Sequence, residues 1–104
     1  MLNPMNPDAE VQAIRDILET YRLSHSKAKI DAYRQNSGSI RIRIIDPHFR
    51  KLDKALRHDQ VWEILDPLSL DIRSQITVLL LLTPEETKIS FANMDFENPV
   101  PSRL

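Results

Sequence analysis

With 104 residues, 41% of them hydrophobic, 28% charged and a net charge of -1, the chain has the size and composition of one small soluble domain, since domains usually run about 50 to 200 residues. It contains no cysteine, which excludes a disulfide scaffold, a thiolate metal centre and a cysteine nucleophile and fits a reducing, cytoplasmic setting. Its longest purely apolar run, Val78 to Leu82, falls far short of a bilayer-spanning helix, and Met1 to Asp8 lack the basic-then-apolar order of a secretory signal, so neither a membrane nor export is expected.

Residues 1–8, with Asn3-Pro4 and Asn6-Pro7, read as a disordered lead-in to a single domain over residues 9–90. Asp8 is a competent N-cap, and Val11, Ile14, Leu18 and Tyr21 recur at the spacing of one helix face, which predicts a helix over Ala9 to Leu23. Ala28, Ile30 and Ala32 then alternate with polar residues, as do Ile40, Ile42 and Ile44 with Arg41 and Arg43, which predicts a hairpin with one apolar face. Gly38, the only glycine, falls in its turn, where a positive φ is expected. Asp46-Pro47 ends the second strand. Leu52, Ala55 and Leu56 fit a short helix, and Val61, Ile64 and Leu65 a second one, with a bend between them at Arg57 to Asp59 and an end near Asp66-Pro67. Asp71 to Gln75 add a turn. Ile76 to Leu82 is almost wholly apolar over a strand's length. Thr83-Pro84-Glu85-Glu86 has a capping hydroxyl, a first-turn proline and a carboxylate three residues on, which starts a short helix. Residues 91–104 read as an irregular tail.

The connection from Asp46 to Gln75 is long enough for a crossover, so the second and third strands are expected to be parallel neighbours. The fold class is α+β: a two-layer sandwich in the order αββααβ plus a short C-terminal helix, with a three-stranded mixed sheet and the helices on one face.

This order, together with Ile40 to Asp46, Phe49, Arg57-His58, Val61 to Leu65 and Ile76 through Thr83-Pro84-Glu85-Glu86, resembles the BolA-like family of small proteins with type II KH topology. The resemblance implies a non-enzymatic module that acts by binding another protein. It also implies a shared iron–sulfur cluster whose ligands are a His before the last strand and a His or Cys between the first two. Here the first position is Gln75, and the loop Arg34 to Ser39 has neither residue type. An amide is a poor substitute for thiolate or imidazole, so no cofactor is expected. A Gly-x-x-Gly backbone clamp for nucleic acid is likewise missing.

His25, His48 and His58 show no ligand spacing, so no metal is expected, and His58 is expected to pack or hydrogen-bond at the helix junction. No nucleophile motif and no phosphate loop is present, and nothing elects a catalytic residue among Asp46, Asp53, Asp59 and Glu63, so no enzyme is expected. Residues 41–57 concentrate Arg41, Arg43, Arg50, Lys51, Lys54 and Arg57 against two acids, whereas residues 59–104 are acidic. That basic set is the candidate surface for nucleic acid or another anionic partner. Arg41 and Arg43 share a strand face and Lys54 lies on the opposite layer, which divides it. In the last strand, alternation puts Ile76, Val78, Leu80 and Leu82 on one face and Leu79 and Leu81 on the other. Leu79 and Leu81 therefore need a cover, either a homodimer or the tail residues Phe91, Met94, Phe96 and Val100. With Tyr33 and His58 they form the candidate protein interface. A protein partner leads, nucleic acid is second, and a homo-oligomeric accessory protein is third.

Overall fold

The computed structural model describes residues 8–99, and its first helix, α1 (Ala9–Ser24), starts where the sequence places a cap. Asp8 Oδ1 accepts hydrogen bonds from the Glu10 and Val11 amides at 3.1 and 3.2 Å. Val11, Ile14, Leu18 and Tyr21 are all buried, as the stripe demands. β1 (Lys29–Asn36) and β2 (Ser39–Ile45) pair antiparallel with Ala32 opposite Ile42 and Ile30 opposite Ile44. Their apolar face lies against α1. The turn departs from expectation: Gly38 has no positive φ. A register shift between Arg34 and Asn36 adjusts the hairpin, and Asn36 Oδ1 accepts the Gly38 amide at 3.1 Å, so an ordinary backbone closes the turn.

A 3-10 turn (Pro47–Lys51) follows, then α2 (Lys54–Leu65) and the short α3 (Leu70–Arg73). The expected bend at Arg57 to Asp59 does not occur, because α2 runs unbroken from its Asp53 cap. It contains neither proline nor glycine to kink it. β3 (Ile76–Leu82) pairs parallel with β2, giving the sheet order β1-β2-β3. Ile14, Leu18, Ile40, Ile42, Ile44, Phe49, Val61 and Leu65 are fully buried and form the core between sheet and helices. Thr83 and Glu86 then make reciprocal cap contacts: Thr83 N–H donates to Glu86 Oε1 at 2.8 Å, and Glu86 N–H to Thr83 Oγ1 at 3.2 Å. These lead into a 3-10 turn (Glu86–Lys88).

Two expectations about the last third are corrected. Ile40 pairs with Ile76 but Arg41 pairs with Val78, so Thr77 is an extra residue in β3. The insertion shifts the alternation, placing Ile76, Leu79 and Leu81 together on the helix side and Val78 and Leu80 beside Arg41 and Arg43. Leu81, at 4% exposure, belongs to the core and Leu79 packs against it, so the helices already cover the pair assigned to an interface. The tail is not irregular throughout. Phe91–Glu97 forms a helix, α4, capped by Ser90 Oγ on the Asn93 amide at 3.0 Å. Phe96 is buried at 5% exposure, but against Tyr33 and Arg43 rather than over Leu79 and Leu81, and Phe91 and Met94 remain exposed. Val100 lies outside the described residues, as does the lead-in before Asp8. Among the described residues no helix is long and apolar enough to cross a membrane.

Candidate functional site

The sheet face away from α1 and α2 is built by alternation. Tyr33 lies opposite Arg41 and Asp31 opposite Arg43, while Val78 and Leu80 flank the two arginines on the β3 side. This puts one aromatic ring and two guanidinium groups in a row on an otherwise mixed surface, and α4 lies against them. Tyr33 OH donates to the Phe96 carbonyl at 3.0 Å, and the two rings meet edge to face at 4.9 Å. Arg41 donates to Asp95 at 2.9 Å and to Gln35 at 2.9 Å. Arg43 is the centre of the contact: it donates to Asp31 at 2.7 Å, Asn93 at 2.9 Å and Glu97 at 2.6 Å, and its guanidinium carbon stands 4.7 Å from the Phe96 ring centroid. Beside α4 a groove of about 650 Å³ opens between Arg15, Tyr33, Arg43, Phe96 and Glu97.

The basic set does not form one surface. Arg50 pairs with Glu85, and Arg57 with Glu86 at 2.7 Å, just as Arg41 and Arg43 pair with Asp95 and Glu97. Lys51 and Lys54 are exposed and make no ion pair among the described residues. Arg57, 5% exposed, also donates to the Leu52 and Leu81 carbonyls at 3.1 Å each. Its hydrogen bond to Glu86 holds that carboxyl below the usual carboxylate range, with burial acting in the opposite direction. His58 hydrogen-bonds as expected, but within the unbroken α2 rather than at a junction: Nδ1 lies 2.9 Å from the Lys54 carbonyl and Nε2 3.1 Å from that of Leu79. Each ring nitrogen stands within hydrogen-bond distance of a backbone carbonyl, so the ring ties α2 to β3.

A second polar cluster lies at the other end of the hairpin strands from Gly38. Asp46, 2% exposed, accepts from Tyr21 OH at 2.6 Å and from the His48 amide at 2.9 Å. Burial first, then the hydrogen bond to Asp46, raises the Tyr21 phenol above its ordinary value. His25 stacks on Tyr21 with ring centroids 4.0 Å apart and meets His48 edge on at 4.7 Å. His25, Asp46 and His48 border a shallow cavity of about 260 Å³. Nothing in the sequence spacing links His25 to His48, which the fold brings together across the ends of α1 and β2. Even so, no three His, Asp or Glu side chains stand in a metal-holding arrangement among the described residues.

Gln75, the position at which the resemblance implies a ligand, is engaged elsewhere: it accepts from Arg34 at 2.9 Å and donates to Glu10 at 2.7 Å. No protein-family model matches this chain, and no curated protein or solved structure matches it closely enough to count as a relative.

Proposed function

We propose that this chain is a non-enzymatic, BolA-like protein-binding module, and that the sheet face bearing Tyr33, Arg41 and Arg43 receives a short acidic segment of its partner carrying an aromatic side chain. One observation carries the reading: the face already holds such a segment, since Asn93, Asp95, Phe96 and Glu97 of α4 occupy it. The contacts are of the kind found at interface hot spots, with one buried aromatic and a multiply bonded arginine at the centre. α4 is seven residues long and leaves Phe91 and Met94 in solvent, which suits a segment that yields its place to a competitor. The same ion pairs argue against nucleic acid as the partner, because phosphate would have to displace Asp95, Glu97, Glu85 and Glu86 before counter-ion release contributed.

The test uses the full chain and a labelled peptide with the sequence of residues 90–99. Phe96→Ala loosens α4 in place, so this variant binds the peptide several-fold more tightly than the unaltered chain. Adding Arg43→Ser to Phe96→Ala removes that binding. Equal, negligible binding by all three chains, with folding intact by circular dichroism, rejects the reading.

A further inference from the structure

The fold sets the end of α1 beside the 3-10 turn that follows β2, and two imidazoles meet there. His25 is the more constrained of the pair. Its Nδ1 lies 3.1 Å from the Tyr21 carbonyl, which can only accept, so Nδ1 carries the proton and Nε2 keeps the lone pair. The ring is also stacked on Tyr21 at 4.0 Å, which fixes its plane. A carbonyl that holds the far nitrogen in this way is the ordinary outer support of a metal-ligating histidine. His48 stands 4.7 Å away, centroid to centroid, and its ring, unlike its amide, makes no hydrogen bond among the described residues. The ring is half-buried and turns about its side-chain bonds without losing such a bond. Imidazole nitrogens bind zinc at ~2.0–2.1 Å, so two rings on neighbouring coordination positions have centroids about 4.5–5 Å apart.

Behind the pair lies the Asp46 carboxylate, 2% exposed. It accepts from the Tyr21 hydroxyl and the His48 amide but pairs with no cation among the described residues. A buried charge without a counter-charge is unfavourable, and a cation held between it and solvent relieves that penalty. Lys27 also borders the cavity, but it is exposed and its ammonium is hydrated. We propose that His25 and His48 bind a divalent transition-metal ion of the zinc and copper class, with water completing its coordination and Asp46 supplying negative charge behind it. Neutral imidazole selects such ions over magnesium and calcium, which take oxygen ligands. The cavity of about 260 Å³ has room for the ion and its waters, and two protein ligands make an exchangeable site rather than a closed cage. The bound ion ties the end of α1 to the turn after β2 and stabilises the folded chain, because the unfolded chain does not hold the two rings together. This site shares no residue with the face assigned to a partner, so the two readings stand or fall separately.

Zinc chloride titrated into the untagged full chain, followed by calorimetry and by the nitrogen resonances of the histidine rings, tests it. One zinc binds per chain and raises the thermal midpoint, and magnesium chloride does neither. The ring resonances of His25 and His48 move, while those of His58, on α2, keep their positions. His25→Gln and His48→Gln each weaken zinc binding at least as much as the roughly 10–100-fold that loss of an outer partner costs a metal site. Should either variant fail to fold by circular dichroism, the ring resonances of the unaltered chain decide the assignment. No zinc binding, binding that both substitutions leave unchanged, magnesium binding of equal strength, or zinc that moves only the His58 resonances overturns the proposal.

Discussion

A β-carbon built on Gly38 meets no atom within 4 Å, and the backbone there has no positive φ. Alanine therefore fits the native turn while restricting the unfolded chain, and Gly38→Ala is expected to raise stability by roughly 0.4–1 kcal/mol in a urea titration. Tyr21 has the opposite sensitivity. Its hydroxyl is one of two donors to a carboxylate that is 2% exposed, so Tyr21→Phe leaves Asp46 with the His48 amide alone. A loss of about 1–3 kcal/mol is expected, read as a lower urea midpoint at unchanged slope. Glu86 predicts the acid limb of the stability curve. Arg57 lowers its native pKa below the ordinary 4.5, so the unfolded state binds the proton more readily. The stabilisation is complete above about pH 4.5 and is lost as the pH falls through the native value. Glu86→Gln should flatten that limb, which thermal melts across the acid range would reveal.

Among the elements, α1 and the strands of the hairpin are legible because each buries one face, and one-face burial leaves a period in the sequence. Val11, Ile14, Leu18 and Tyr21 are all buried, and β3 has the bounds its apolar run implies. The face that β3 presents is not legible, because the extra residue at Thr77 exists only relative to β2, a strand more than thirty positions earlier. α2 misleads for another reason: Arg57 and His58 resemble a polar break, yet they spend their polarity on β3 carbonyls and leave the helix intact. α4 hides because Phe91 and Met94, its most visible apolar residues, face solvent, while Phe96 is its one buried apolar side chain. Its ion pairs involve half-exposed acids and contribute little individually. Phe96→Ala should remove about 1.5–3 kcal/mol of local stability. Amide exchange within Phe91–Glu97 should then quicken more than tenfold while the core strands keep their protection.

Over the whole molecule, the contrast between a basic middle and an acidic last third is largely resolved within the fold. Arg41, Arg43, Arg50 and Arg57 take their partners from Glu85, Glu86, Asp95 and Glu97. Block charges in the sequence expose the two halves of this arrangement but not their pairing, which depends on where the segment after β3 and α4 dock. Retention on a polyanion column should accordingly be weak, and Arg41→Ser should scarcely change the salt at which the chain elutes. The core, the strand order and the shared face of Arg41 and Arg43 were thus readable from alternation, whereas the docking of α4 on that face emerged only from contacts between distant segments. The register at Thr77 carries a last consequence, for how this sequence tolerates change in length. The Ser37-Gly38 turn is solvent-exposed and has room for an inserted residue, and losing Thr77 is equally tolerable, because Ile76 and Leu79 then stand two positions apart and still share a face. A deletion within Val78–Leu82 instead turns the residues on one side of it to the opposite face, so natural variants of this chain should carry gaps at the turn and at Thr77 and none within Val78–Leu82.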